Sequence, residues 1–264
     1  MLSDKQFLRY QRQICLNEVG EQGQTYLLNR SVLLIGCGGL GNAAALYLAA
    51  AGVGKLVLAD DDLVEESNLA RQIGFRTPQI GMAKVSALAE SLAQLNPECK
   101  IRPVNRRMDR SLLTLEVALA DVVLDCSDNF LTRHSINQVC YEQGVPLISG
   151  SAIGWQGQLI GFDFTQPNSG CYACFAPQKQ QKSQRCSDRG VMGPVVGTIG
   201  NLQALLALQT LMKMDNVPFS RFHQFDGRHL SWQQWQLTPD PDCSICSTPL
   251  NHRASAQVQQ KEDL

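Results

Sequence analysis

Two cysteine pairs with C-x-x-C spacing, Cys171/Cys174 and Cys243/Cys246, could hold a metal between them. Four thiolates complete a tetrahedral zinc site and leave no position for water, so such a site ties chain segments together rather than doing chemistry. Two separate redox dithiols or an iron–sulfur centre are the other readings of the spacing. A fifth cysteine, Cys186, stands between Arg185 and Arg189 in a polar stretch, Ser183-Gln184-Arg185-Cys186-Ser187-Asp188-Arg189. Two neighbouring cations favour the thiolate, and an exposed thiolate is reactive.

A second chemistry is phosphate binding. Gly36-Cys37-Gly38-Gly39-Leu40-Gly41 fits G-x-G-x-x-G. Glycines at Gly36, Gly38, Gly39 and Gly41 permit a tight turn and let backbone N–H groups approach a phosphate at a helix N-terminus. Asp60, at the end of the next apolar run, is placed for a ribose hydroxyl. The motif alone suggests a nicotinamide dinucleotide, but the following residues favour ATP. Ser67-Asn68-Leu69-Ala70-Arg71-Gln72 offers polar side chains and a cation. Lys84 stands near the start of a predicted helix, where a cation opposes the helix dipole and so suits a phosphate; a solvated surface lysine is the plain reading. Asp128 and Asn129 follow an apolar run, at the usual ligand edge of an α/β sheet. Asp128 could hold magnesium, cap the next helix, or do both.

The elements that must position these residues alternate. Residues 4–30 are predicted to be helical, Val32–Ile35 a strand, Leu40–Ala51 a helix and Lys55–Ala59 a strand. A helix over Gly81–Leu95 stops at Asn96-Pro97. Further strands are expected at Ile101–Val104, Asp121–Leu124 and Pro146–Ile148, with a helix before the last. Strands alternating with helices imply a Rossmann-like α/β fold, a mostly parallel sheet with helices on both faces. Beyond residue 150 the pattern changes to antiparallel strands: Gln158–Phe164 alternates, and Arg221–Leu237 suggests a hairpin around Asp226-Gly227. Between them lie a polar loop at 178–188 and a long apolar helix at Val195–Met212. The second C-x-x-C would tie this antiparallel part to the middle of the chain. The expected organisation is one continuous domain over 1–250, with a helical segment 1–30, a nucleotide-binding part 31–150, a metal-bearing part 151–250 and a polar tail 251–264.

Composition narrows the function further. Lys plus Arg number 23 and Asp plus Glu 24, for a net charge of −1, so a strongly basic nucleic-acid binder is not the default. The chain is 44% hydrophobic and 18% charged, which fits a folded protein rather than a disordered one. The first residues show no apolar leader. Ser31–Gly54 carries no charge, yet its glycines favour strand, turn and helix over a membrane span. A cytoplasmic protein, without membrane or nucleic-acid partners, is the expectation. Ten cysteines in such a chain are not a disulfide framework. Most of those outside the two pairs read as small core residues. His134, His223, His229 and His252 show no ligand spacing, and no Ser/His/Asp constellation is evident.

Taken in order, Arg9-Tyr10-Gln11-Arg12-Gln13, Gly36–Gly41, Asp60-Asp61-Asp62, Ser67–Gln72, Lys84 and Asp125-Cys126-Ser127-Asp128-Asn129 make the chain resemble the ThiF/MoeB/HesA family, bacterial relatives of the ubiquitin-activating enzymes. The resemblance runs from about residue 4 to residue 247. It implies adenylation, by ATP, of the C-terminal Gly-Gly carboxylate of a ubiquitin-like sulfur-carrier protein. By matching motif it also implies that Gly39 contacts the nucleotide and Asp60 the ribose. Asn68, Arg71 and Lys84 would hold the phosphates, Asp128 would organise Mg2+, and the four paired cysteines would bind structural Zn2+. Family members are homodimers in which Arg12 would reach the phosphates of the partner subunit's ATP. A cysteine at the place of Cys186 acts after adenylation, in sulfur chemistry, and a sulfurtransferase is a further implied partner. Leu56–Asp62 and Gly193-Pro194-Val195-Val196-Gly197 look closer to the ThiF branch, which serves thiamine biosynthesis, than to the MoeB branch, which serves molybdopterin synthase. Ala70 and Ser187-Asp188-Arg189 depart from the usual pattern and leave the carrier open. The competing classes are a nicotinamide-dependent oxidoreductase, which leaves Lys84, Asp128 and the Arg12 segment without a task, and a non-catalytic binding module, against which intact Arg71, Lys84 and Asp128 weigh.

Overall fold

In a computed structural model the described residues are 2–166, 169–177 and 190–247; Cys186, His252 and the tail 251–264 lie outside them. Strands of four to seven residues line up in one eight-stranded sheet of order β3-β2-β1-β4-β5-β6-β7-β8. They are β1 (Ser31–Ile35), β2 (Lys55–Ala59), β3 (Lys100–Val104), β4 (Val122–Asp125), β5 (Leu147–Ile153), β6 (Gln156–Phe162), β7 (Arg221–Asp226) and β8 (Ser231–Gln236). The pairings among β1 to β5 are parallel, and those from β5 through β6 and β7 to β8 are antiparallel. The Rossmann-like half and its antiparallel continuation thus occupy one sheet.

The helices are α1 (Asp4–Ile14), α2 (Gly20–Leu28), α3 (Gly39–Ala51), α4 (Lys84–Leu95), α5 (Arg110–Ala118), α6 (Phe130–Gln143), the single turn α7 (Tyr172–Phe175) and α8 (Gly193–Leu211). Strand alternation divides the core between the two faces. Val32 and Leu34 of β1 pack with Leu48 of α3, Leu88 of α4 and Ile199 of α8, whereas Leu33 and Ile35 pack with Leu113 of α5 and Ile136 of α6. The strand order reverses between β1 and β4, where Ile35 pairs with Asp125. A crevice opens at the strand ends of such a switch point, which is the ligand site of open α/β sheets. The glycine motif follows one of these strands and Asp128 the other.

Several elements differ from the sequence expectation for local reasons. The N-terminal helical stretch is two helices, broken before Gly20, which takes φ +55°. The fourth helix begins at Lys84, not Gly81. Gly81 has φ +87°, and residues 81–84 instead pair with 62–64 through Gly81 N–H to Val64 O (2.9 Å), Val64 N–H to Met82 O (2.8 Å) and Lys84 N–H to Asp62 O (2.9 Å). β5 runs to Ile153 because β6 pairs along it in a hairpin turned at Gly154, φ +59°. The hairpin expected around Asp226-Gly227 is β7–β8. Among the described residues no helix is long and apolar enough to cross a membrane. Cys37, Cys99, Cys126 and Cys140 are buried as core residues, but Cys15 is exposed.

Candidate functional site

The glycine turn is dictated by crowding. Gly36 has φ +96°, and a side chain there would meet the Cys126 carbonyl at 2.7 Å, across the β1–β4 switch. A side chain at Gly41 would strike the Gly36 carbonyl, and one at Gly39 would strike Val196 of α8. Gly38, the N-cap of α3, faces nothing within 4 Å. Its missing side chain therefore leaves room above the helix N-terminus, where unpaired N–H groups and the helix dipole favour an anion.

Asp60 leaves β2 and turns back onto this loop. Its Oδ2 accepts the Cys37 N–H at 2.6 Å and its Oδ1 the Asp62 N–H at 2.8 Å. Burial raises its carboxyl above the usual aspartate range, against the pull of those N–H groups and of Lys84. Lys84, the first residue of α4, is 7% exposed and places Nζ 2.7 Å from Asp62 Oδ2. Asp60, Asp61 and Asp62 bring their carboxylates within 4.8 Å of one another, a second group able to hold a cation.

The segment after this acidic run folds into a short 3-10 turn, Glu66–Asn68. Asn68 is buried, and its Oδ1 accepts the Glu65 N–H at 3.1 Å. Ser67 Oγ donates to Glu65 Oε2 at 3.2 Å. The Arg71 guanidinium donates back to the Ser67 carbonyl at 3.1 Å, and its Cγ lies 3.5 Å from where a Gly39 side chain would begin. One buried residue fixes this loop against the glycine turn: Asn42 of α3 donates to the Cys37 carbonyl (3.3 Å), and its Oδ1 accepts the Gly74 N–H. An amide inside an alanine- and leucine-rich helix was the sequence signal for it.

Asp128 is exposed beyond the end of β4. Its expected role as helix cap falls to its neighbour: Asn129 is the N-cap of α6 and accepts the Thr132 N–H at 2.9 Å. Asp128 itself stands exposed at the ligand edge. Behind the pair lies a buried polar network that sequence reasoning missed. It joins Asp125, Arg133 of α6, Ser149 of β5 and Gln203 of α8, whose Nε2 donates to the Asp125 carbonyl at 2.9 Å.

The structure therefore brings together Gly36–Gly41, Asp60, Ser67, Asn68, Arg71, Lys84, Asp128 and Asn129 along one sheet edge. It does not bring Arg12 there. Arg12 is exposed on α1, and its neighbour Gln13 donates to the carbonyl of Ala51, the last residue of α3, at 3.0 Å. Thirteen residues of α3 separate that point from the glycine turn, about 20 Å at 1.5 Å per residue.

The four paired cysteines also converge, and this cluster could hold a metal ion. Cys171 Sγ lies 3.6 Å from Cys243 Sγ, and Cys174 Sγ lies 3.3 Å from Cys246 Sγ. Cys171 and Cys243 are buried. The Asp240 N–H donates to Cys174 Sγ at 3.4 Å. The Cys171 thiol holds Cys174 down at about 4 against the opposing effect of burial, whereas burial pushes Cys246 up to about 12. One thiolate is comfortable there; four need a cation. Asn137 of α6 is fully buried beside the cluster; its Oδ1 accepts the Tyr172 N–H at 2.8 Å and its amide group favours the Cys171 thiolate.

A glycine turn at a switch point, two cations beside it and a cysteine cluster off the antiparallel half are the features of a nucleotide-binding α/β protein. The comparisons agree. The model of the ThiF family matches residues 10–245. The chain is 45% identical over 246 residues to the sulfur carrier protein ThiS adenylyltransferase of Escherichia coli, covering 93% of this chain and 97% of that protein. It is 40% identical over 245 residues to the molybdopterin-synthase adenylyltransferase of Salmonella typhimurium, covering 93% and 98%. The crystal structure of Escherichia coli MccB with ATP superposes with a TM-score of 0.77 at 22% identity, over 90% of this chain and 74% of that one, a likeness of fold. The chain belongs to the ThiF family.

Proposed function

We propose that the protein adenylates the C-terminal carboxylate of a ubiquitin-like sulfur carrier ending in Gly-Gly, using ATP, and that this carrier is of the ThiS type, in thiamine biosynthesis. A carboxylate oxygen of the carrier attacks the α-phosphorus. The bond from that phosphorus to the bridging oxygen of the β-phosphate breaks, and pyrophosphate leaves with the electron pair. The nucleophile is already ionised, so no general base is required. The difficulty is charge, because an anion must approach a triphosphate.

The residues along the sheet edge suit that difficulty. The glycine turn and the N-terminus of α3 receive phosphate, and Asp60 takes the ribose. Arg71 and Lys84 neutralise phosphate oxygens and the charge that develops as pyrophosphate departs. Ser67, Asn68 and Asn129 shape the walls. Asp128 would hold Mg2+, which offsets phosphate charge when bound. Arg12, too far from its own turn, would serve the partner subunit's site in a homodimer. Cys186 would act afterwards, when sulfur from a donor such as a sulfurtransferase replaces AMP. The observation that carries this proposal is the placement of Lys84 and Arg71 beside the glycine turn, an arrangement a hydride-transfer enzyme would not need.

Zinc is the metal proposed for the four cysteines. A tetrahedron with Zn–S bonds of about 2.3 Å has S–S edges of about 3.8 Å, and the sulfur pairs lie at 3.6 and 3.3 Å. Its place is structural, within a single domain spanning residues 1–250.

ATP–pyrophosphate exchange with magnesium tests the proposal, run with a ThiS-type carrier, with that carrier lacking its last glycine, and with the molybdopterin-synthase carrier. Exchange only with the intact ThiS-type carrier is expected. Exchange only with the other carrier would move the protein to the molybdopterin branch. No exchange with either, by folded and metal-loaded protein, would refute adenylation.

A further inference from the structure

Arg133 is a charged side chain that the adenylation chemistry does not use, yet it is 6% exposed. It rises from the first turn of α6 and reaches backwards, out of its own helix. Its guanidinium donates to the Ser127 carbonyl, to the Gly150 carbonyl (2.9 Å) and to Ser149 Oγ (2.9 Å), and it meets Asp125 Oδ2 at 3.4 Å. Asp125 is itself filled: Oδ1 accepts Ser127 Oγ–H (2.6 Å) and Ser127 N–H (3.1 Å), and Oδ2 accepts Ser149 Oγ–H (2.9 Å). Both peptide groups flanking Ser127 are thus held, one through its N–H by Asp125 and the other through its carbonyl by Arg133.

The second of these peptide groups is the one that enters Asp128. A peptide group is planar, so fixing its carbonyl fixes the direction of the Asp128 N–H and the axis about which Asp128 can turn. On the other side, the Asn129 cap and the Arg133 N–H bond to the Asn129 carbonyl (3.2 Å) anchor the residue that follows. Asp128 is exposed, but the chain on both sides of it is clamped. A buried ion pair is a poor stabiliser, since apolar replacements of the same volume often serve as well. A fork of N–H donors spread over a loop and a strand end is, however, what holding a loop residue in one place requires.

We infer that Arg133, held by Asp125 and Ser149, is a positioning residue for Asp128: its hold on the Ser127 carbonyl presents the Asp128 carboxylate at the ligand edge for the metal that accompanies ATP. The inference rests on the proposed adenylation and on the role assigned there to Asp128. It adds a residue that touches neither nucleotide nor carrier.

Calorimetric titration of ATP into the full-length protein, with and without MgCl2, tests it, alongside carrier-dependent exchange. In the wild type, magnesium tightens ATP binding, and Asp128→Ala removes that gain. Arg133→Lys keeps the charge but loses the fork. It is expected to leave magnesium-free ATP affinity within about twofold, to lose the gain from magnesium, and to slow exchange at least about tenfold in kcat. Combined with Asp128→Ala, it should weaken magnesium-ATP binding no further. A normal magnesium response in folded Arg133→Lys would overturn the inference. So would an equal loss of magnesium-free binding, or losses that add in the double variant, because both describe general damage. If Arg133→Lys does not fold, Ser149→Ala, which removes the hydroxyl shared by Arg133 and Asp125, is read by the same criteria. Exchange by the wild type with an indifferent Arg133 variant defeats this inference alone. A wild type that neither binds ATP nor exchanges defeats the adenylation proposal and this inference with it.

Discussion

Replacing Lys84 by methionine separates its charge from its packing. The lysine stem is buried, 7% exposed, and methionine has nearly the same length, so apolar burial is largely kept. The ion pair it loses is one-sided: Asp62 is 66% exposed on its side chain and regains water when the ammonium goes. Pairs of that kind contribute about 1 kcal/mol or less, so a fall in Tm of only a few degrees is expected. The effect on ATP chemistry is larger. A charge-assisted hydrogen bond to a phosphate contributes about 1.5–3 kcal/mol. The Asp62 carboxylate, no longer neutralised, then faces the triphosphate and adds about 1 kcal/mol of repulsion after solvent screening. Together these give about 2.5–4 kcal/mol, or about two to three decades in kcat/KM for exchange. Adding Asp62→Asn to Lys84→Met removes the repulsion and should recover about fivefold. The assay is carrier-dependent pyrophosphate exchange beside thermal unfolding. Exchange within threefold of wild type by the folded variant would show that the Lys84 charge does not serve ATP chemistry and refute the reasoning.

Asp60 gives a pH signature: its folded carboxyl is raised chiefly by burial, so the folded state holds its proton longer than the unfolded chain does. The stability this contributes is full below the unfolded value near 3.8 and is lost as pH rises through the folded value; urea unfolding from pH 3 upward should show that loss in wild type and not in Asp60→Asn. Cys174→Ser should drop bound metal from about one ion per chain to none and lower Tm, as measured by elemental analysis and calorimetry, and unchanged metal content would refute the four-thiolate site.

Much of this architecture can be read from the chain because its chemistry sits at element ends. Gly36–Gly41, Asp60 and Asp128 follow apolar runs, and the strand-to-loop transition locates each of them without any tertiary information. Lys84 was legible for the same reason, although apolar residues at helical spacing disguise where α4 starts, since Met82 belongs to a pairing segment. The network of Asp125, Arg133, Ser149 and Gln203 was not legible. Its members come from β4, α6, β5 and α8, and only the sheet order brings them together. Nor could the sequence say which of two adjacent polar residues, Asp128 or Asn129, caps α6. The distance of Arg12 from the glycine turn likewise depends on α1 docking at the far end of α3, through Gln13 and through the Asn96 bond to Tyr10 (2.9 Å).

A metal held by the four cysteines would also act on the unfolded chain. Cys171 and Cys243 stand 72 positions apart, and everything from α8 through β8 lies between them. A metal that joins them turns this stretch into a closed loop, as a cross-link would, and by chain-entropy arithmetic closing a loop of that size takes about 4 kcal/mol of freedom from the unfolded ensemble. Metal loading should therefore alter the order of assembly as well as its outcome. With the loop closed, the antiparallel half can re-form next to its anchor after a partial opening. Without the metal, β7 and α8 must find β6 and α3 across an open chain, with the slower, more aggregation-exposed search that long-range strand pairing entails.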